Sequence, residues 1–213
     1  MGRAFTEQEN INNIELLMLT GRKLAAQRGF KKSSVDEIVR LCSISKGQFY
    51  RYFNSKEEFY FKVRMRVKRE LEEMTLRELD SVQPVTQEFL AQCFYNHLCE
   101  CLTKENKIFF DYIELKYLFE KVPDELKKES LDNEINEVVH IVSYIDNSVI
   151  LTEKQYRLIV SILKSVAVIA GNAQIVASEN ADVLLKFHSR AVAELFFEYV
   201  ENAKNSSSQI GSN

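Results

Sequence analysis

A chain of 213 residues with 46% hydrophobic content can bury a packed core, which argues against global disorder. Its six Gly and two Pro are too few for a turn-rich sandwich or barrel, so long helices are expected. The net charge of −3 conceals a split: residues 1–69 carry 15 Lys and Arg against 7 Asp and Glu, and the remainder 13 against 24. That asymmetry points to a polyanion partner for the N-terminal part alone. Cys42, Cys93, Cys99 and Cys101 show neither a paired metal-site spacing nor a secreted disulfide framework. The opening Met1-Gly2-Arg3 leads into no apolar signal segment, and the most apolar stretch, 159–177, is interrupted by Ser161, Lys164, Ser165, Asn172 and Gln174. The expectation is a cytoplasmic protein with no membrane span, no metal and no cofactor.

In chain order, helix starts are marked by a hydroxyl followed three residues later by an acid or amide. The matches are Thr6-x-x-Glu9, Ser34-x-x-Glu37, Ser45-x-x-Gln48, Ser55-x-x-Glu58 and Thr152-x-x-Gln155. The first helix is expected over 7–28, buried through Ile11, Ile14, Leu17, Met18, Leu24 and Ala25. Gly29 would end it in a left-handed conformation, with Phe30 making the accompanying apolar contact. A second helix over 35–42 buries Val35, Ile38, Val39 and Cys42. Three residues, Ser43-Ile44-Ser45, then lead into a third helix ending near Phe53, and a fourth runs from Ser55 to about residue 80. Five further helices are expected over 86–103, 107–120, 124–146, 153–177 and 181–203, followed by a disordered Ser- and Asn-rich tail over 205–213. The fold class is all-α: a three-helix DNA-binding head over 1–55 and a helical body over 56–204, with the fourth helix linking the two.

Two short helices joined by a three-residue turn let the second lie in the major groove, although an ordinary helical hairpin has the same outline. On the third helix Phe49 and Phe53 point inward. Gly47, Gln48, Tyr50 and Arg51 then point outward, with Lys46 and Tyr52 on the flanks. Gly47 leaves room for a duplex, Gln48 can pair with adenine, and Lys46 can reach guanine or phosphate. The run Gly29-Phe30, Ser34-Val35-Asp36-Glu37-Ile38-Val39 and Ile44-Ser45-Lys46-Gly47-Gln48-Phe49-Tyr50-Arg51-Tyr52-Phe53-Asn54-Ser55-Lys56-Glu57-Glu58 closely resembles the DNA-binding signature of the TetR family, over about residues 7–65. The resemblance implies phosphate contacts from Ser34, Tyr50, Tyr52 and Lys56, and base or near-base contacts from Ser45, Lys46, Gly47 and Gln48. Arg51 suits phosphate. Val39 and Cys42 stand where the family has small Ala. Ser43 replaces a turn Gly, and a left-handed conformation there would cost on the order of 1 kcal/mol.

For the body, the resemblance implies a homodimer joined through its last two long helices. The candidate interface is Ala167, Ala170, Gly171, Leu184, Phe187, Ala191 and Leu195. It also implies a small-molecule effector held among the aromatic-rich helices. Phe89, Phe94, His97, Phe109, Tyr112, Tyr117 and Tyr144 are the candidate lining, which suggests an apolar or aromatic ligand. Cys93, His97 and Cys101 share one helical face, but Cys93 and Cys101 are separated by about 12 Å of helix axis, too far to hold one ion together. The expected function is a ligand-released repressor on a palindromic double-stranded operator. The alternative is an architectural or division-associated DNA-binding protein answering to a protein partner. An enzyme is not expected: His97, His140 and His188 are scattered, and no nucleophile motif or phosphate-binding Gly loop is present.

Overall fold

The structure, a computed structural model, describes residues 6–210. The hydroxyl half of the capping motif forms at all five expected starts. Glu9, Glu37, Gln48, Glu58 and Gln155 donate their backbone N–H to Thr6, Ser34, Ser45, Ser55 and Thr152 at 3.2, 3.2, 3.1, 3.0 and 3.4 Å. The reciprocal half closes at Thr6, Ser45 and Thr152. At the other two starts the acid is engaged elsewhere: Glu37 pairs with Arg28 at 2.9 Å, and Glu58 with Lys62 at 2.9 Å.

These starts open α1 (Glu7–Lys32), α2 (Val35–Leu41), α3 (Lys46–Tyr52), α4 (Lys56–Asp80) and, later, α8 (Glu153–Gly171). Between them lie α5 (Gln87–Cys101), α6 (Tyr112–Phe119) and α7 (Asp124–Ile145); the short α9 (Ala173–Val176) and long α10 (Ala181–Ile210) complete the described chain. The all-α class stands, with four changes of detail. Gly29 does take φ 78°, but the helix resumes for one turn beyond it. The stretch expected as one helix over 107–120 divides into a 3-10 turn, Lys107–Phe109, and α6, because extended Asp111 caps the Glu114 N–H at 3.0 Å. The helix expected over 153–177 breaks at Asn172. The last helix continues through 205–210, where the sequence offers Ser and Asn but no Gly or Pro to stop it. Residues 211–213 of the expected tail lie outside the described residues.

Two compact units form. The first holds residues up to 67 together with 104–124; the second holds 68–103 and 125 onward, so α4 passes from one into the other. The first unit therefore extends past the boundary drawn at residue 55 and takes in α6. Its core is a chain of rings: Phe53 on Phe59 (4.9 Å), Phe49 on Phe59 (5.3 Å), Phe59 on Tyr60 (5.0 Å), Tyr60 on Phe30 (5.2 Å) and Phe30 on Phe109 (5.6 Å). Ile11, expected in the core, is half exposed instead. Cys42, where the family has Ala, is absorbed: its thiol donates to Thr20 Oγ1 at 3.3 Å.

The second unit packs α5, α7, α8 and α10 around Leu90, Phe94, Val138, Ile141, Ile159 and Phe196, with Phe94 and Phe196 rings 5.5 Å apart. Buried charge also occurs here. Glu134 is held between Lys68 and Lys164, the latter at 2.6 Å. Burial alone would raise its carboxyl, but the two ammonium groups outweigh that and hold it below its ordinary value. Glu137, nearly one turn further along α7, has no such clamp. Burial, reinforced by Glu72 and Glu134 and only partly offset by Lys68, pushes it up to about 7. A carboxyl whose folded pKa lies above its unfolded value contributes stability at low pH and loses it as pH rises through the folded pKa. Melting temperature should therefore fall as pH rises from about 4.5 to about 7 and level off above that, and Glu137→Gln should flatten the fall. An equal slope in both proteins would assign the dependence to another group.

Candidate nucleic-acid interface

The turn between α2 and α3 is closed by the Ile44 N–H on the Val39 carbonyl at 3.1 Å, and Ser43 adopts φ 53°, the left-handed conformation its position demands. Phe49 and Phe53 on α3 then anchor to the ring cluster, four residues apart and both buried. This leaves Lys46, Gly47, Tyr50 and Arg51 exposed on the opposite face, with Ser34 and Ser45 exposed at the starts of α2 and α3. Tyr50 is 47% exposed, its ring set edge-on to Phe49. Lys46 reaches Asp36 on α2 at 3.0 Å, which raises its ammonium pKa first through the hydrogen bond.

Gly47 is informative because the protein itself does not need it. A Cβ built there would meet only Ser45 Oγ, at 3.9 Å. Gly in a helix costs about 1 kcal/mol relative to Ala, and no packing contact of this residue offsets it.

Three expected contacts have internal partners instead. Gln48 folds back as the capping-box amide, accepting the Ser45 N–H at 3.4 Å, and its Nε2 is enclosed with no hydrogen-bond partner. Tyr52 donates its hydroxyl to Asn10 Oδ1 at 2.6 Å. Lys56 donates to the Phe30, Lys31 and Ser33 carbonyls at 3.1, 3.3 and 3.2 Å, which uses all three of its protons at the end of α1. As placed, Lys56 braces the head, and Gln48 must leave its cap before it can read a base.

Residues 17–63 match the family described as bacterial regulatory proteins, tetR family. That segment is a TetR-family helix-turn-helix. Over 45 residues it is 44% identical to the transcriptional repressor NemR of Escherichia coli strain K12, a stretch that is 21% of this chain and 23% of NemR. The chain thus spans under a quarter of such relatives at the sequence level. Similarity of fold extends much further. A TetR-family regulator from Pectobacterium atrosepticum superposes with a TM-score of 0.65 at 17% identity, covering 90% of this chain and 95% of that one. FadR of Bacillus subtilis, solved in complex with stearoyl-CoA, superposes at 0.58 and 19% identity over 85% and 96%.

The residues expected to line an effector pocket do not converge. Phe109 is in the ring cluster of the first unit, where Tyr112 is exposed and Tyr117 donates to Glu57. In the second unit Phe94 is core, Phe89 packs half-buried against that core, and Tyr144 donates to Asp80 at 2.5 Å. His97 lines a cavity of ≈ 260 Å³ together with Leu71, Met74, Thr75, Glu78, Asn96, Cys99 and Glu100. Sequence patterning missed these because they come from facing sides of α4 and α5 and share no spacing. Thr75 Oγ1 meets His97 Nδ1 at 3.0 Å, and burial lowers the imidazole pKa to about 4. Cys93 and Cys101, on the same face of α5, are core residues, and burial pushes the Cys93 thiol up to about 12.

Of the expected dimer residues, Ala170 is only 1% exposed and belongs to the chain's own core. Phe187 and Ala191 are exposed, and Ala167, Gly171, Leu184 and Leu195 are partly so.

Gly47→Ala separates fold from recognition. It should raise stability by about 0.5–1 kcal/mol in denaturant titration while weakening operator binding. A variant that is both more stable and fully DNA-competent would remove Gly47 from the interface.

Proposed function

We propose that the chain is a cytoplasmic, homodimeric repressor that grips a palindromic operator with α3 of each subunit and lets go when a small effector binds its second unit. The observation that carries this reading is the outer face of α10. Val183 and Phe187 are 64% and 65% exposed, while Leu185, Val192 and Phe196 on the opposite side are core. Leu158 on α8 is exposed as well. Large apolar side chains left uncovered on the last long helices suit burial against a second copy, and two copies present two reading helices to successive major grooves.

The cavity beside His97 supports the sensing role. Its lining joins apolar Leu71 and Met74 to polar Thr75, Glu78 and Asn96, which favours a small effector with hydrogen-bonding groups over a purely aromatic one. It abuts α4, the helix whose first turn braces the reading head through Lys56. FadR, a protein of the same fold, has been solved with stearoyl-CoA. An effector that lowers operator affinity must itself bind the operator complex more weakly by the same factor.

Light scattering should find the wild type dimeric. Phe187→Glu should give a folded monomer with sharply reduced affinity for an operator obtained by selection from random duplexes, and the selected site should be an inverted repeat. An intact Phe187→Glu dimer would move the interface elsewhere.

A further inference from the structure

Three ammonium groups converge on one aromatic ring in the first unit. The Nζ atoms of Lys31, Lys56 and Lys121 stand 5.3, 5.7 and 5.2 Å from the centroid of Tyr117. They come from three elements: the last turn of α1, the first turn of α4 and the residues just after α6. The Tyr117 hydroxyl donates to Glu57, which fixes the ring between them. Lys56 is satisfied by its three carbonyls. Lys31 and Lys121 are exposed, and among the described residues neither has a carboxylate within ion-pair distance.

Gathering like charges in this way is unfavourable in the free protein. Cation–π attraction offsets only about 0.5–1 kcal/mol per exposed cation. The charge of Glu57 is felt by both Lys56 and Lys121, but Glu57 is already engaged by Tyr117. A polyanion would relieve the repulsion. The patch also lies beside the reading head: Lys31 precedes the α2 cap Ser34 by three residues, and Lys56 binds the Ser33 carbonyl at 3.2 Å.

We propose that Lys31 and Lys121, seated on Tyr117, form a phosphate-binding flank that extends the duplex contact beyond the helix-turn-helix to the end of α6. The contact is with the sugar-phosphate backbone and carries no base preference. It rests on the operator-binding reading, and it gives α6 a direct part in holding DNA.

The test is a salt titration of full-length protein, by fluorescence anisotropy, on a duplex of about 40 base pairs of arbitrary sequence. Lys121→Gln and Lys31→Gln should each make the slope of log K against log salt shallower by about 1.8, about 0.9 from each subunit of the dimer, so the affinity lost between about 50 and about 200 mM salt shrinks about tenfold. Lys154→Gln, which removes the same charge from an exposed position at the start of α8, should leave the slope as in the wild type. Tyr117→Leu, which removes the platform but no charge, should weaken binding in the same direction. Unchanged slopes for Lys31→Gln and Lys121→Gln, or an equal loss in Lys154→Gln, would overturn the flank while leaving operator binding intact. A wild type with no affinity for any duplex would overturn the operator-binding reading and this inference with it.

Discussion

When Gly29 breaks α1, the turn that follows is left with carbonyls and an N–H that no helix receives. The rest of the reading head depends on how these are satisfied. Lys56, from the first turn of α4, takes the Phe30, Lys31 and Ser33 carbonyls; Glu114, from α6, takes the Phe30 N–H at 2.7 Å. The Glu114 carboxylate also fills the space a side chain at residue 29 would need, with Oε1 2.9 Å from the position of a Cβ. Hydrogen bonds to charged groups are worth about 1.5–3 kcal/mol each, so losing either Lys56 or Glu114 would leave several backbone groups of this turn without partners. It joins α1, α4 and α6, and it sets where Ser33 and Ser34 begin α2.

A reading head this small has few residues to divide between holding itself together and meeting DNA. Phe49 and Phe53 are committed to the core, and Gln48, Tyr52 and Lys56 have partners within the protein. What remains outward is a compact set: Lys46, the bare backbone at Gly47, Tyr50 and Arg51, flanked by the capping hydroxyls of Ser34 and Ser45. A serine hydroxyl that accepts a backbone N–H still has its own proton to donate, so the two caps can serve the fold and a phosphate together. The left-handed Ser43, costing on the order of 1 kcal/mol, belongs to the same economy, since without that turn α3 would not present its outward face.

The second unit has a different character. Its core is built mainly from long helices, yet it keeps Glu134 buried between two lysines and leaves Glu137 unclamped beside it. Breaking one partner of a buried ion pair is costly, so Lys68 and Lys164 restrict how α4, α7 and α8 can shift. The cavity beside His97 borders α4 on the same stretch of helix. A ligand entering there meets a helix tied to α7 at Lys68 and continuous with the first turn that caps α1.

The sequence alone determined what is settled within a few residues along the chain. The five capping hydroxyls, the break at Gly29, the left-handed Ser43 and the i, i+4 pair Phe49 and Phe53 are local matters of donor reach, backbone sterics and helical periodicity, and the reading head was legible for that reason. The tertiary structure decided everything that depends on a partner far along the chain. Nothing near Lys56 in the chain reveals its three carbonyl acceptors, which lie 23 to 26 residues away. Glu114 reads as an ordinary helix acid until it meets Phe30, 84 residues earlier. The aromatic residues over 86–146 share no spacing that tells them apart, yet they divide between the two units, and His97 borders a cavity in the second. Composition records which side chains can be buried; which face of a helix is covered, and by what, is fixed only when distant segments close around it.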